Sequence, residues 1–265
     1  QFGEMIGDMA HDMHVAGWYA PAMNIHRSAF SGRTFEYFSE DSLLSGAMAS
    51  NEIAGAKSKG VYSFMKHFAL NDQETNRTNM VCTWANEQSI RETYLKPFEM
   101  SVKEGGAQAV MSSFNYIGYT YAGASSNLLQ TVLRGEWGFK GLESQDFIMN
   151  PNYAVLKEYA LNGGTMTTFT GENTMAAVSE KFAYWTTENV GQDTELMSAI
   201  KQAMTWQAYA LANSNALDGM ASSTRLVSVR TWYDNALVAV QIVFAALTVL
   251  AAAMYVLNDR KSKKQ

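Results

Sequence analysis

The run from Ala236 to Leu257, ALVAVQIVFAALTVLAAAMYVL, carries no charge and one strongly polar side chain, Gln241. A helix rises ~1.5 Å per residue and the hydrocarbon layer is ~30 Å thick, so about 20 apolar residues cross a bilayer. This stretch is long enough. The other reading, a buried core helix of a soluble protein, fits less well, because such helices seldom stay apolar on every face over so many turns. Trp232 and Tyr233 precede the run and Tyr255 lies near its far end, where amphipathic rings favour the interface. The tail NDRKSKKQ then brings Arg260, Lys261, Lys263 and Lys264, and clustered positive charge beside a span marks the cytoplasmic side. The sequence thus predicts a single-pass cell-membrane protein that contacts lipid through residues 236–257. Its transmembrane segment is 231–257, its cytoplasmic tail is 258–265, and the part before the span lies outside the cell. That orientation calls for an export signal. None is visible in the opening QFGEMIGDMA, so further chain is expected upstream.

The 265 residues are 47% hydrophobic and 12% aromatic, enough for a sizeable core and within the range of one α/β barrel domain. A net charge of -5 and a pI near 5.4 provide no basic field for a phosphate backbone, which sets nucleic acid aside as a partner. Cys82 is the only cysteine, so no intrachain disulfide forms, and thiolates are too few for a zinc or iron–sulfur site. His11, His14, His26 and His67 are scattered, and no HExxH-type set accompanies the first two. Neither a metal nor a cofactor is expected.

Short apolar β-prone runs alternate with amphipathic stretches over residues 1–212, the pattern of parallel βα units. Strands are expected at 17–22, 61–65, 107–111, 141–145 and 165–169. Between the second and third, Ile90, Tyr94, Phe98 and Val102 recur every fourth residue and form one apolar stripe of a helix, with Glu87 and Glu92 early and Lys103 late. Further helices are expected at 42–57, 127–137, 152–161, 174–184 and 194–212, and the polar stretch 213–230 reads as a linker. Five strands cannot close an eight-stranded barrel. The fold class is therefore α/β: a partial (β/α)8 TIM-type barrel at 1–212 lacking its first βα units, followed by a single transmembrane helix.

In a barrel the chemistry gathers just past the C-terminal ends of the strands. Asn24, His26, Arg27 and Arg33 follow the first expected strand; Lys66, His67, Asn71, Asp72, Glu74 and Arg77 follow the second. Ser112, Ser113 and Asn115 follow the third, and Asp146 follows the fourth. One rim thus collects several cations, amides and a carboxylate.

Six segments in order carry a resemblance to glycoside hydrolase family 3. They are WYAPAMNIHR at 18–27, GRTFEYFSEDSLLSG at 32–46, KHFALNDQETNR at 66–77, RETYLKPFEMSVKEG at 91–105, VMSSFNYIG at 110–118 and LLQTVLRGEWGFKGLESQDF at 128–147. The chain resembles the β-glucosidase type of that family, a fragment of the barrel domain with a C-terminal membrane anchor. The resemblance implies that Arg33, Lys66, His67 and Arg77 hydrogen-bond the hydroxyls of a glucosyl-type ring, charged donors that fix its position and orientation. It also implies that Met111, Phe114 and Phe147 touch the substrate, and that Asp146 is the nucleophile of a retaining mechanism with a covalent glycosyl-enzyme. The bland alternatives are an ion pair of Arg33 with Glu36 or Glu40, and Asp146 as a mere N-cap of the next helix.

Three departures stand against the family pattern. Phe114 replaces a tyrosine that usually bonds the nucleophile, and Phe147 replaces a tryptophan platform. Glu143 and Gln145 lie in a strand that is usually apolar, which calls for a hydrated face or a strained strand. The family's acid/base glutamate sits on a separate α/β sandwich domain. Glu74 and Glu143 are the local substitutes, and neither is favoured, so an upstream sandwich domain is the expected partner. KHFALND also lacks the histidine-bearing loop of the hexosaminidase branch.

Three functions follow for weighing. The first is a membrane-anchored, exo-acting β-glycosidase of a bacterial cell that removes terminal non-reducing β-linked sugars from oligosaccharides or glycosides, its 265-residue portion inactive alone. The second is a catalytically impaired barrel that binds sugar. The third, a structural membrane protein, leaves the rim residues unexplained.

Overall fold

Alternating strand and helix build a parallel sheet covered by helices, as the periodicity requires. The computed structural model describes residues 1–77, 79–147, 153, 155–168, 185–220, 223–225, 227 and 229–263. The chain divides into two units, Gln1–Asp218 and Gly219–Gln265. Its strands are β1 (Gly17–Trp18), β2 (Tyr62–Phe68), β3 (Cys82–Thr83), β4 (Ala109–Ser112), β5 (Tyr116–Ile117), β6 (Thr120–Tyr121) and β7 (Leu142–Gln145). Four of them form one parallel sheet in the order β1-β2-β4-β7, with Phe64 opposite Ala109 and Ala109 opposite Leu142. Isolated parallel bridges, Ala22 to Lys66 and Ser144 to Met166, add a contact at either side. Strands β3, β5 and β6 make a separate small sheet. Among the described residues the barrel is not closed.

The helices are α1 (Phe2–Asp12), α2 (Ser42–Ser58), α3 (Glu87–Ser89), α4 (Lys96–Lys103), α5 (Leu156–Leu161), α6 (Thr187–Gln192), α7 (Thr194–Ala212) and α8 (Trp232–Ser262). Asp41 starts α2 by accepting from the N–H groups of Leu43 and Leu44 at 2.8 and 3.0 Å, satisfying two otherwise orphaned donors. Asp193 caps α7 in the same way through Leu196 at 3.0 Å. Helices α1 and α2 meet backbone to backbone, since a Cβ on Gly3 would lie 2.1 Å from the Glu52 carbonyl. Gly141 has the same use beside β4, where an added Cβ would fall 1.9 Å from the Gln108 carbonyl. Between sheet and helices, fully buried Phe68 packs its ring against Phe98 and Trp137, with centroids 5.1 and 5.9 Å away. Side chains of this size contribute about 1.5–3 kcal/mol each on burial.

Several expected boundaries change. The first strand ends at Trp18, because Pro21 has no N–H for the ladder. The second runs to Phe68, so Lys66 and His67 lie within β2 and not beyond it. The third begins at Ala109 and takes in Ser112. The fifth is only the bridge at Met166, and Phe169 lies outside the described residues. The helix expected around Ile90 is broken. Its stripe does face the core, but residues Ile90–Tyr94 are π-helical, with the Leu95 N–H donating to the Ile90 carbonyl at 2.8 Å. Pro97 explains the break: it has no N–H to donate back to Thr93, and it fits the first turn of the restarted helix α4. The helix expected at 127–137 is π-helical over Asn127–Glu136. That expected at 152–161 starts at Leu156, and the one at 174–184 lies outside the described residues. Helix α1 and the small sheet have no counterpart in the expected pattern.

The linker expected at 213–230 is shorter than anticipated at its start. Asn215 donates its main-chain N–H to Gly60 at 2.7 Å and its amide to Val15 at 3.3 Å, which holds it in the first unit. In the second unit, Thr231 and Asp234 form a reciprocal cap: the Thr231 N–H and hydroxyl donate to Asp234 at 2.8 and 2.7 Å. The helix they start, α8, contains Trp232–Leu257 with a mean hydropathy of 2.4 and none of it buried. It is long and apolar enough to cross a membrane.

Candidate functional site

The C-terminal ends of β2 and β7 and the loops after β1 and β2 converge on one charged cluster. Strand β2 ends in Lys66-His67-Phe68, and Phe68 anchors it in the core. The side chain of Asn24 fixes the His67 backbone like a missing strand neighbour: its amide donates to the His67 carbonyl at 2.9 Å and its oxygen accepts the His67 N–H at 2.7 Å. Strand β7 delivers Asp146, whose Oδ1 accepts the Phe147 N–H at 2.8 Å. Its other oxygen stands 3.8 Å from Nε2 of His67 and 3.9 Å from the Arg77 guanidinium.

The arginines are held by carboxylates. Glu74 lies 3.0 Å from Arg77 and 3.5 Å from Arg33, and Arg33 also pairs with Glu36. The ion pair expected for Arg33 as an alternative to sugar contact is thus present in one of its two forms. It coexists with a place in the cluster, because Arg33 acts electrostatically on both His67 and Asp146. Arg77 lies over the Phe114 ring, 4.7 Å from its centroid. The Tyr153 hydroxyl donates within the same region, where the carbonyls of Arg77, at 3.0 Å, and Phe114 face it.

Burial dominates the protonation of this cluster. It raises the Asp146 carboxyl above its ordinary range, while the Phe147 N–H and then Arg77, Arg33 and Lys66 pull it back. Desolvation outweighs those cations. The His67 imidazole is pushed well below its usual range by burial and then by Arg33, Lys66 and Arg77, so the ring is neutral. Burial also lowers Lys66.

Glu143, on the same strand as Asp146, sits in different surroundings. All four residues of β7 are buried, so neither a hydrated face nor an open edge accommodates it. Desolvation raises its carboxyl to about 7, opposed by Tyr159, Ser112 and Arg134. Tyr159 in turn bonds main-chain groups around it, donating to Met166 at 2.6 Å.

The structure therefore brings Arg33, Lys66, His67, Arg77 and Asp146 together, with Phe114 beneath Arg77. Phe147 is half exposed beside Asp146. Met111 packs in a core cluster with Phe64, Ala109 and Leu142. Asp146 does not cap α5, whose N-cap is Val155. Sequence reasoning overlooked Tyr37, which contacts His67 and Asn71, and gave Glu74 no part in holding arginines. The even spacing of Glu74 and Arg77, three apart in a turn, was the available signal. Among the described residues, no group of three His, Cys, Asp or Glu side chains is arranged to hold a metal ion.

Comparison with known proteins identifies the family and the fold. The sequence model of the glycosyl hydrolase family 3 N terminal domain matches residues 1–179. Beta-glucosidase B of Emericella nidulans is 43% identical over 145 residues, which cover 55% of this chain and 17% of that protein. A beta-glucosidase of Rhizobium radiobacter is likewise 43% identical over 145 residues, covering 55% and 18%. Beta-glucosidase 3B from Thermotoga neapolitana, solved in complex with α-D-glucose, superposes with a TM-score of 0.72 at 32% identity, covering 81% of this chain and 30% of that one. The chain thus spans under a fifth of the length of these curated relatives.

Proposed function

Since the chain belongs to glycosyl hydrolase family 3, we propose that it is the nucleophile-bearing part of a retaining, exo-acting β-glucosidase that removes terminal non-reducing β-linked sugars. The observation that carries this reading is the Asp146 carboxylate within 4 Å of both His67 and Arg77 at the open ends of the strands. A carboxylate there attacks the anomeric carbon of a ring whose hydroxyls are held by Arg33, Lys66, His67 and Arg77. Water then hydrolyses the glycosyl-enzyme with retained configuration. The relatives named beta-glucosidase, and the glucose bound by the Thermotoga neapolitana protein, support glucose at this position. In this reading the exposed Phe147 ring, next to Asp146, stacks on the sugar, and Met111 of β4 contacts it.

Retention needs a second carboxyl group about 5–5.5 Å from the first, kept protonated. Glu74 is engaged with two arginines and Glu143 is fully buried within β7. We assign the general acid to a separate α/β sandwich domain that precedes the barrel. In the same reading α8 anchors the enzyme in the cell membrane through Trp232–Leu257, with Arg260, Lys261, Lys263 and Lys264 on the cytoplasmic side and the sugar site outside. Phe114 and buried Glu143 favour a second reading, a barrel that binds sugar without hydrolysing it. Assay of the complete protein with an aryl β-glucoside separates the two. Turnover abolished by Asp146→Asn supports the hydrolase; sugar binding without turnover supports the binder.

A further inference from the structure

The hydroxyl of Tyr37, a buried residue, has three polar neighbours and one proton. The Asn71 main-chain carbonyl lies 3.1 Å away, the Asn71 amide nitrogen 3.2 Å, and Nδ1 of His67 3.4 Å. The carbonyl can only accept, so it takes the Tyr37 proton. The amide nitrogen can only donate, so it takes one lone pair of the Tyr37 oxygen. The imidazole nitrogen is the one neighbour that can play either part. With the proton already committed, the hydroxyl offers Nδ1 a lone pair alone. We propose that Tyr37 is a positioning residue that fixes His67 as its Nδ1–H tautomer, leaving Nε2 as an acceptor facing Asp146 and the cations.

The separation on the other side of the ring agrees. His67 is neutral, so a ring protonated on Nδ1 has no hydrogen on Nε2. Its distance of 3.8 Å from the Asp146 carboxylate is too long for a hydrogen bond, as two facing acceptors require. Lys66, Arg33 and Arg77 can only donate. This inference rests on the sugar-binding reading of the site and sharpens it: the hydroxyl that meets His67 must donate to Nε2, while the hydroxyls that meet the cations accept. A single sugar position thereby becomes intolerant of a substituent, such as fluorine, that cannot donate.

The tautomer is measurable without any activity. Two- and three-bond proton–nitrogen correlation spectra of the 15N-histidine-labelled chain in detergent micelles distinguish a protonated ring nitrogen from one bearing a lone pair, and the chain has only four histidines. His67→Gln identifies the signal. The expected spectrum has the proton on Nδ1, and in Tyr37→Phe the proton moves to Nε2, where it faces Asp146. A wild-type ring protonated on Nε2 overturns the proposal, as does a Tyr37→Phe spectrum unchanged from wild type. The wild-type spectrum decides the tautomer by itself should Tyr37→Phe fail to fold. Addition of glucose then shifts the Nε2 resonance; an Nδ1–H ring that ignores glucose contradicts the sugar site and leaves the tautomer standing, so the two failures differ.

Discussion

Glu74 holds Arg77 at 3.0 Å and Arg33 at 3.5 Å, so one carboxylate sets the spacing of two cations that flank the Asp146 cluster. Arginines arranged this way reach sugar hydroxyls without first having to be ordered, which is how preorganisation raises affinity.

Glu74→Gln tests that arrangement. Hydrogen bonds to charged partners are worth about 1.5–3 kcal/mol, so loosening both arginines weakens glucose binding by about tenfold or more. Titration calorimetry reads the change. Unaltered affinity contradicts a positioning role.

Glu143 gives the chain a pH dependence of definite sign. Its carboxyl is raised to about 7 from 4.5, so the folded state keeps a proton that the unfolded state releases. The contribution is fully present below pH 4.5 and is lost as pH rises through 7, about 3 kcal/mol in all. Glu143→Gln cannot ionise. Its melting temperature therefore exceeds that of the wild type most above pH 7, and the gap closes toward pH 4.5. A gap that does not vary with pH counts against this account.

Much of this layout was legible beforehand, and for physical reasons. Asp146 directly follows β7 and Lys66 and His67 lie near the C-terminal end of β2, the rim where barrel chemistry gathers, while Arg33 and Arg77 come from the loops after β1 and β2. What local patterns conceal is partnership over distance. Nothing within the segment GRTFEYFSED says that Tyr37 meets His67 and Asn71, because that contact depends on how a loop folds over β2. The π-helical turns were equally hidden, since an apolar stripe at every fourth residue looks the same whether Leu95 bonds four or five residues back. Met111 alternates with Val110 along β4 and the two pack in different core clusters, a division set by the sheet and not by the strand's own sequence.

Phe114→Tyr restores a phenol beside the cluster, under an arginine 4.7 Å from the ring. A donor that orients the nucleophile in the transition state speeds covalent labelling by an activated 2-fluoro glucoside, about tenfold for about 1.4 kcal/mol. Labelling that is unchanged or slower shows that the position has no hold on Asp146.

Phe68 carries both the core and the site, since its ring packs against Phe98 and Trp137 while its neighbour is His67. Phe68→Ala leaves a cavity and costs about 3–5 kcal/mol of stability, measured by denaturant unfolding of the first unit's transition. A loss below about 1 kcal/mol contradicts the packing described.

The most direct measurement is peptide mapping by mass spectrometry after the chain is incubated with a dinitrophenyl 2-deoxy-2-fluoro-β-glucoside. Dinitrophenolate departs without protonation, so no general acid is needed, and the fluorine slows hydrolysis of the glycosyl-enzyme by destabilising an oxocarbenium-like transition state. The account predicts one fluoroglucosyl group on the peptide containing Asp146, absent from Asp146→Asn. A label on Glu74 or Glu143, or no label on a folded chain that binds glucose, contradicts it.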